Sequence, residues 1–318
     1  MGIQAISGNP SGKIGKIGLA DAPIVEVALS RSKLYLLLSW GFLFPEEDEF
    51  YNYLQDGEFV EDGLSAVESL EKSLEATKAE PAVRDLVVPM RKLLEQLGDW
   101  EEENFKTWEF SDLQDEHRRV FSNVISLDAP PYETLFGNEH VFQQSHTMGD
   151  IAGYYKAFGL ELAEVVHERL DHLSVEMEFL HFLSYKESYA LCHDGDEKLQ
   201  IVVDAEKKFV RDHIGRWAPM FADMGSKKAR RGFFYYLCEL CKAFLKFECA
   251  YLGVTPQPYK ETDYKPATFI PPEGATFECG AQDLGNELNV LLDEVGGRSQ
   301  MDDEGGPGEG DSQKGGHA

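Results

Sequence analysis

The sequence has no apolar run of the ~18 residues that a membrane span needs, and residues 1–24 lack the apolar core of a secretory signal. Basic residues are few, 30 Lys and Arg against 57 Asp and Glu, which leaves a formal charge of −27. That balance excludes a nucleic-acid binder, because duplex binding rests on Lys and Arg neutralising phosphates. It also disfavours an anionic membrane surface and favours a cationic partner. Cysteine is scarce: Cys192, Cys238, Cys241, Cys249 and Cys279 show no secreted-scaffold spacing. Reduced thiols in a cytoplasmic protein are the simple expectation. No nucleophile elbow, no dinucleotide fingerprint and no repeat of fixed period is present. Nothing in the chain argues for catalysis or for a cofactor of its own.

Three near-motifs fail on inspection. GNPSGKIGK places three residues between Gly8 and Gly12 and Ile14 after Lys13, where a phosphate loop needs four and a Ser or Thr. Cys238 and Cys241 spell CxxC, but no second pair completes a zinc site. They fall within a long apolar helix and are expected to be core thiols. Arg230-Arg231-Gly-Phe-Phe imitates a twin-arginine export motif. Such a motif belongs at an N-terminus before an apolar run, so a solvated helix turn is expected here.

What the chain does have is helical periodicity. Of its residues 42% are hydrophobic and 12% aromatic, enough for a sizeable core. EVALSRSKLYLLLSWGFLF carries apolar residues on nearly every face, which predicts a mostly buried helix that Pro45 stops. Glu46 to Glu49 suit the start of a following helix. Residues 58–78 and 82–97 read as amphipathic helices separated by Pro81, with Gly98 after the second and Pro89 as a kink. The acidic residues at 99–103 are expected in a solvated turn or first helical turn. Residues 110–126 form another helix, capped by Ser111 or Asp112. In LDAPPYETLFG, Pro130 and Pro131 stiffen an extended loop that presents Tyr132 and Glu133. GDIAGYYKAFGLELAE predicts a helix, a break at Gly159 and a short helix towards Glu168. A helix over 195–214, a Trp-Pro turn in HIGRWAPMFADMG, and a long helix from about Ser226 to Leu252 follow.

The stretch ERLDHLSVEMEFLHFLSYKESY, Glu168 to Tyr189, is the chemical centre of the sequence. Asp171 is a good N-cap type. Leu173, Met177, Leu180 and Ser184 share one helix face, with Glu176, Phe179 and Leu183 beside it. His172 and Glu176, four apart, are surface neighbours. Such an acid–imidazole–acid group can hold a cation, bind a metal or simply cap a helix. Two Glu-x-x-His pairs, Glu164 with His167 and Glu178 with His181, keep a di-iron carboxylate bundle open as an alternative.

The predicted class is all-α: one globular, bundle-like domain of about ten helices. Residues 1–24 form a leader without structure and 25–254 the helical domain. Residues 255–294 make a Pro-rich extended segment with a short helix in AQDLGNELNVLLDEV, and 295–318 an acidic, Gly-rich tail without structure.

At four blocks the chain resembles the TorD-like maturation chaperones of the DMSO reductase family of molybdoenzymes. They are SRSKLYLLLSWGFLFPEEDEF, PPYETLFG, ERLDHLSVEMEFLHFL, and WAPMFADMG with the aromatic helix after it, spanning roughly residues 25–252. The resemblance implies a helical, cofactor-free cytoplasmic chaperone. It implies binding of the twin-arginine signal peptide of a molybdoenzyme catalytic subunit, held back from export until the molybdopterin cofactor is inserted. It implies signal-peptide contacts at Asp171 and His172, at Tyr132 and Glu133, and at Glu176, Glu178 and Phe179. Leu170 departs from the family, standing where Pro is common. The acidic chain looks most like the subgroup serving periplasmic type II enzymes. A helical domain with a hinge allows a monomer or a domain-swapped homodimer.

Overall fold

A computed structural model describes residues 3–5, 22–121, 129–136, 141–163 and 168–259 of the chain. Residues 122–126 of the expected 110–126 helix, the Glu164/His167 pair, Cys279 and the segments expected beyond residue 259 lie outside the described residues. So does the separate unit formed by residues 269–318.

The fold is all-α. Helix α1 (Ala22–Phe42) is its central rod, packed against α8 (Leu173–Tyr189), α3 (Glu58–Ala76) and α11 (Phe233–Leu252). Its burial extends around the helix, as the apolar sequence requires: Val27, Leu34, Tyr35, Leu38 and Phe42 are all sealed from water. Helices α2 (Glu49–Gln55), α4 (Pro81–Arg84) and α5 (Val87–Asn104) complete the N-terminal side. Helices α6 (Phe110–Phe121), α7 (Val141–Ala157), α9 (Asp196–Asp212) and α10 (Ile214–Ala229) surround the rest, with α10 laid along α11. The core is aromatic: Phe42, Phe121, Phe221 and Phe234 meet ring against ring at 5.3–5.7 Å. Each such buried side chain contributes about 1.5–3 kcal/mol.

Several elements depart from expectation, each for a local reason. Pro89 does not kink α5. The helix begins at Val87, which places the proline in the first turn, where its missing N–H costs nothing. Nor does Gly98 end it. A Cβ there would lie 3.3 Å from Val60 Cγ1, so the glycine lets α3 approach, and α5 carries the acidic run on to Asn104. The long C-terminal helix is two helices. Arg230, at φ 61°, and Gly232 break it, and α11 starts at Phe233. The expected Trp-Pro turn is helical, with Pro219 inside α10. Burial of Trp217, Ala218, Phe221 and Ala222 offsets the one ladder bond the proline removes. Cys238 and Cys241 are buried core thiols, as expected, and burial pushes both thiols up.

After Gly159 (φ 69°) the chain forms not a helix but a strand, β2 (Leu160–Leu162), paired antiparallel with β1 (Ile3–Ala5). The sequence predicts no strand pair, and it predicts a leader without structure. Three residues per strand are too few to show an alternating pattern.

Candidate signal-recognition site

The Pro-rich loop and the head of α8 are stitched together by backbone. Tyr132 and His172 form an isolated antiparallel bridge. Glu133 N–H donates to Asp171 O at 2.9 Å and Leu173 N–H to Pro131 O at 2.8 Å. Pro130 and Pro131 prepare this, because their fixed φ holds the loop extended. The two motifs, distant along the chain, are therefore one structure.

Asp171 does not cap α8. His172 does: its Nδ1 accepts the Ser174 N–H at 3.1 Å. The ring must then carry its hydrogen on Nε2, which lies 3.9 Å from Glu168 Oε2. Burial, then His117 and Arg169, depress the imidazole to about 3, so it is neutral. Asp171 is committed elsewhere. Fully buried, it accepts from Thr134 N–H (3.1 Å) and Thr134 hydroxyl (2.7 Å), and Arg169 grips both its oxygens at 2.8 and 2.9 Å. The planar fork of arginine suits such a two-oxygen acceptor. The same guanidinium lies over the Tyr132 ring, 4.8 Å from its centre, and the Tyr132 hydroxyl donates to Glu168 Oε2 at 3.1 Å.

Deeper in, Glu176 is sealed, and Trp217 Nε1 donates to its Oε2 at 3.1 Å. Burial and the neighbouring Glu133 push the Glu176 carboxyl well above its usual range. Glu133, also buried, accepts from His213 Nδ1 at 3.1 Å, while His213 Nε2 faces Asp150 Oδ2 at 3.3 Å. Burial works against the charged imidazole of His213, but Glu133 and Asp150 outweigh it and raise its pKa. His213 opens onto a cleft of about 720 Å³ whose lining includes Glu133, Asp150, Asp212 and Arg216. Asp150 is its most exposed acid, with 67% of the side chain in water.

Of the seven residues singled out by sequence, the structure brings Tyr132, Glu133, Asp171, His172 and Glu176 into this cluster. Glu178 and Phe179 lie further along α8. Phe179 packs on Tyr155 and Phe209, with ring centres 4.8 and 4.9 Å away, and Glu178 is buried; burial, then Glu176, Glu133, Asp171 and Glu178, raise the Tyr155 phenol. Only Tyr132 of the seven reaches solvent appreciably. The sequence reading missed Thr134, Glu168, Arg169, Asp150 and His213. Glu168 and Arg169 flank the Asp-His pair and were signalled by adjacency; His213 sits in a junction that the expected Trp-Pro turn obscured.

A family described as nitrate reductase delta subunit matches residues 79–223, a span that contains both motifs. The chain is similar to the TorD chaperones. It is 26% identical over 234 residues to the perchlorate reductase assembly chaperone protein of Dechloromonas aromatica, covering 71% of this chain and 93% of that protein. It is 28% identical over 135 residues to the chaperone protein TorD of Photobacterium profundum, and 24% over 133 to that of Vibrio parahaemolyticus. Each of these two matches covers 42% of this chain and 60% of the TorD protein. These relatives are named as chaperones. Among the described residues no helix is long and apolar enough to cross a membrane, and no three His, Cys, Asp or Glu gather as metal ligands. His181, half of one Glu-x-x-His pair, turns its Nδ1 to the hydroxyl and carbonyl of Ser32, at 2.8 and 2.9 Å. That contact does not favour the di-iron alternative.

Proposed function

We propose that this chain acts in the cytoplasm on the catalytic subunit of an exported molybdoenzyme. It binds the subunit's twin-arginine signal peptide and holds the apo-subunit back until the molybdopterin cofactor is in place. The observation that carries this reading is the backbone bridge between Tyr132 and His172, which fixes an aromatic face beside an acid-lined cleft.

Two arginines on an apolar stretch ask for carboxylates with water access, an aromatic face and a firm backbone. Asp150 and Asp212 in the cleft, with Glu168 beside Tyr132, supply the accessible carboxylates. Guanidinium bonds to such acids are charge-assisted and directional. Asp171, His172 and Glu176, buried and already bonded, hold the geometry rather than meet the peptide. Arg169 on Tyr132 shows that this ring accepts a guanidinium face. The Dechloromonas relative is named for a perchlorate reductase, and an oxyanion reductase is the client class favoured here.

The test is titration of the purified full chain with a fluorescent twin-arginine signal peptide and a copy with both arginines replaced by Lys. Saturable binding, weakened for the Lys copy and for Asp150→Asn, is expected. Failure of the wild-type chain to bind signal peptides of molybdoenzymes encoded beside its gene overturns the reading.

A further inference from the structure

A second cleft, of about 480 Å³, lies between α2, α3 and α5, away from the loop and α8. Leu54, Val60 and Phe105 give it apolar walls, and Gly57 and Gly98 leave it open where side chains would fill it. On its lining sits Glu101, only 6% accessible, with Oε1 touching no donor. A buried carboxyl without a partner is costly, and proteins retain few of them. At the mouth, exposed Asp56 and Glu102 outnumber Lys106.

We propose that this cleft is a site for an organic cation, a guanidinium or primary ammonium on an apolar stem, with Glu101 as its counter-charge. The apolar walls take the stem. The mouth, net negative on a chain of charge −27, excludes anions and draws cations in. The carboxyl stays neutral while the site is empty, because burial pushes it up to about 8 and no cationic side chain among the described residues pulls it back. Arrival of a cation ionises it, so binding releases a proton near neutral pH. The proposal is independent of the signal-peptide reading, whose groups lie elsewhere.

The experiment is calorimetric titration of the full chain with n-butylguanidinium, at pH 7 and pH 9, in two buffers of different ionisation heat. Expected is saturable one-site binding with roughly one proton released at pH 7 and little at pH 9. Glu101→Gln, checked for fold by circular dichroism, weakens binding about tenfold or more and abolishes the release. n-Butylurea, the same shape without charge, binds far more weakly. An arginine-containing pentapeptide and its citrulline counterpart separate the two sources: tighter binding of the arginine peptide than of the free cation assigns the site to a polypeptide side chain, and equal binding to a small amine. No binding at millimolar concentration, equal binding of n-butylurea, or binding untouched by Glu101→Gln overturns the proposal. Should Glu101→Gln fail to fold, the wild-type proton release still decides it.

Discussion

The Arg31 and Arg169 carboxylate clusters differ in where water is. In the first, Arg31 of α1 is fully buried and bonded to Glu248 at 2.8 and 2.9 Å, to Glu206 at 3.1 Å and to Glu187. Its guanidinium also lies 4.7 Å from the centre of the Tyr251 ring. In the second, Arg169 grips buried Asp171 while 46% of its own side chain stays in water. The chemistry is the same, a guanidinium on carboxylates with a tyrosine face. The sealed version ties four helices, α1, α8, α9 and α11, into one register. The open version ties only a loop to a helix head, and it leaves polar groups facing a cleft. Depth separates a strut from a surface that can exchange partners.

The largest expected effect breaks the sealed cluster. Arg31→Ala leaves three carboxylates buried without their cation. Removing one member of such a group costs about 3–5 kcal/mol, to be read as a lowered urea midpoint, or as failure to fold. Next comes Asp171→Ala. Thr134 N–H and hydroxyl lose their acceptor inside the protein, at about 1–3 kcal/mol, while Arg169 escapes to water at little cost. If Asp171→Ala destabilises as much as Arg31→Ala, the distinction by depth is wrong. Signal-peptide affinity measured on the same variant should fall with the loss of loop order.

These clusters also mark what was legible in the sequence. The all-apolar face of α1, the stop before Pro45 and the core placement of Cys238 and Cys241 were readable, because composition and period are local. The joining of Tyr132–Glu133 to Asp171–His172 was read from resemblance, and the backbone bridge gives it a physical basis. Arg31 passed unnoticed inside its apolar helix. Its partners are 156 to 217 residues away along the chain, and no local pattern carries that. Asp171 looked like the cap because residue type favours it. Thr134 and Arg169 claim it instead, so the neighbouring imidazole takes the capping role. Gly98 and Pro219 misled for one reason: a neighbour in space, Val60 for the first and the buried face around Trp217 for the second, overrode the local signal.

A smaller effect sharpens the assignment of that cap. His172→Ala removes the acceptor for Ser174 N–H and should cost about 1 kcal/mol, whereas His172→Asn, itself a good cap, should stay within a few tenths. Thermal unfolding of both variants reads the difference. Equal losses would show that the ring acts by packing on Tyr132, 5.2 Å away between ring centres, and not by capping.

The smallest effect at mildly acidic pH, and the most specific, concerns Glu206 in the sealed cluster. Burial, against the pull of Arg31, holds its carboxyl at about 8, above the ordinary 4.5. Between those values the folded protein binds the proton that the unfolded chain has released. This contribution to stability is therefore complete below about 4.5 and is lost as pH rises through about 8. Glutamine is a neutral stand-in for the protonated acid. Glu206→Gln should lie within about 1 kcal/mol of wild type at pH 5 and become the more stable of the two by pH 9. Glu101 and Glu116, raised by burial to about 8 and about 7, add the same falling slope to both proteins. His117 and His172, depressed to about 4 and about 3, add a rising slope below 6.5 to both. The difference between the two urea-derived stability curves therefore reads Glu206 together with Glu187, which shares Arg31 with it. Parallel curves from pH 5 to pH 9 would mean that Arg31 keeps Glu206 ionised despite its burial, and depth would then set only the cluster's access to solvent.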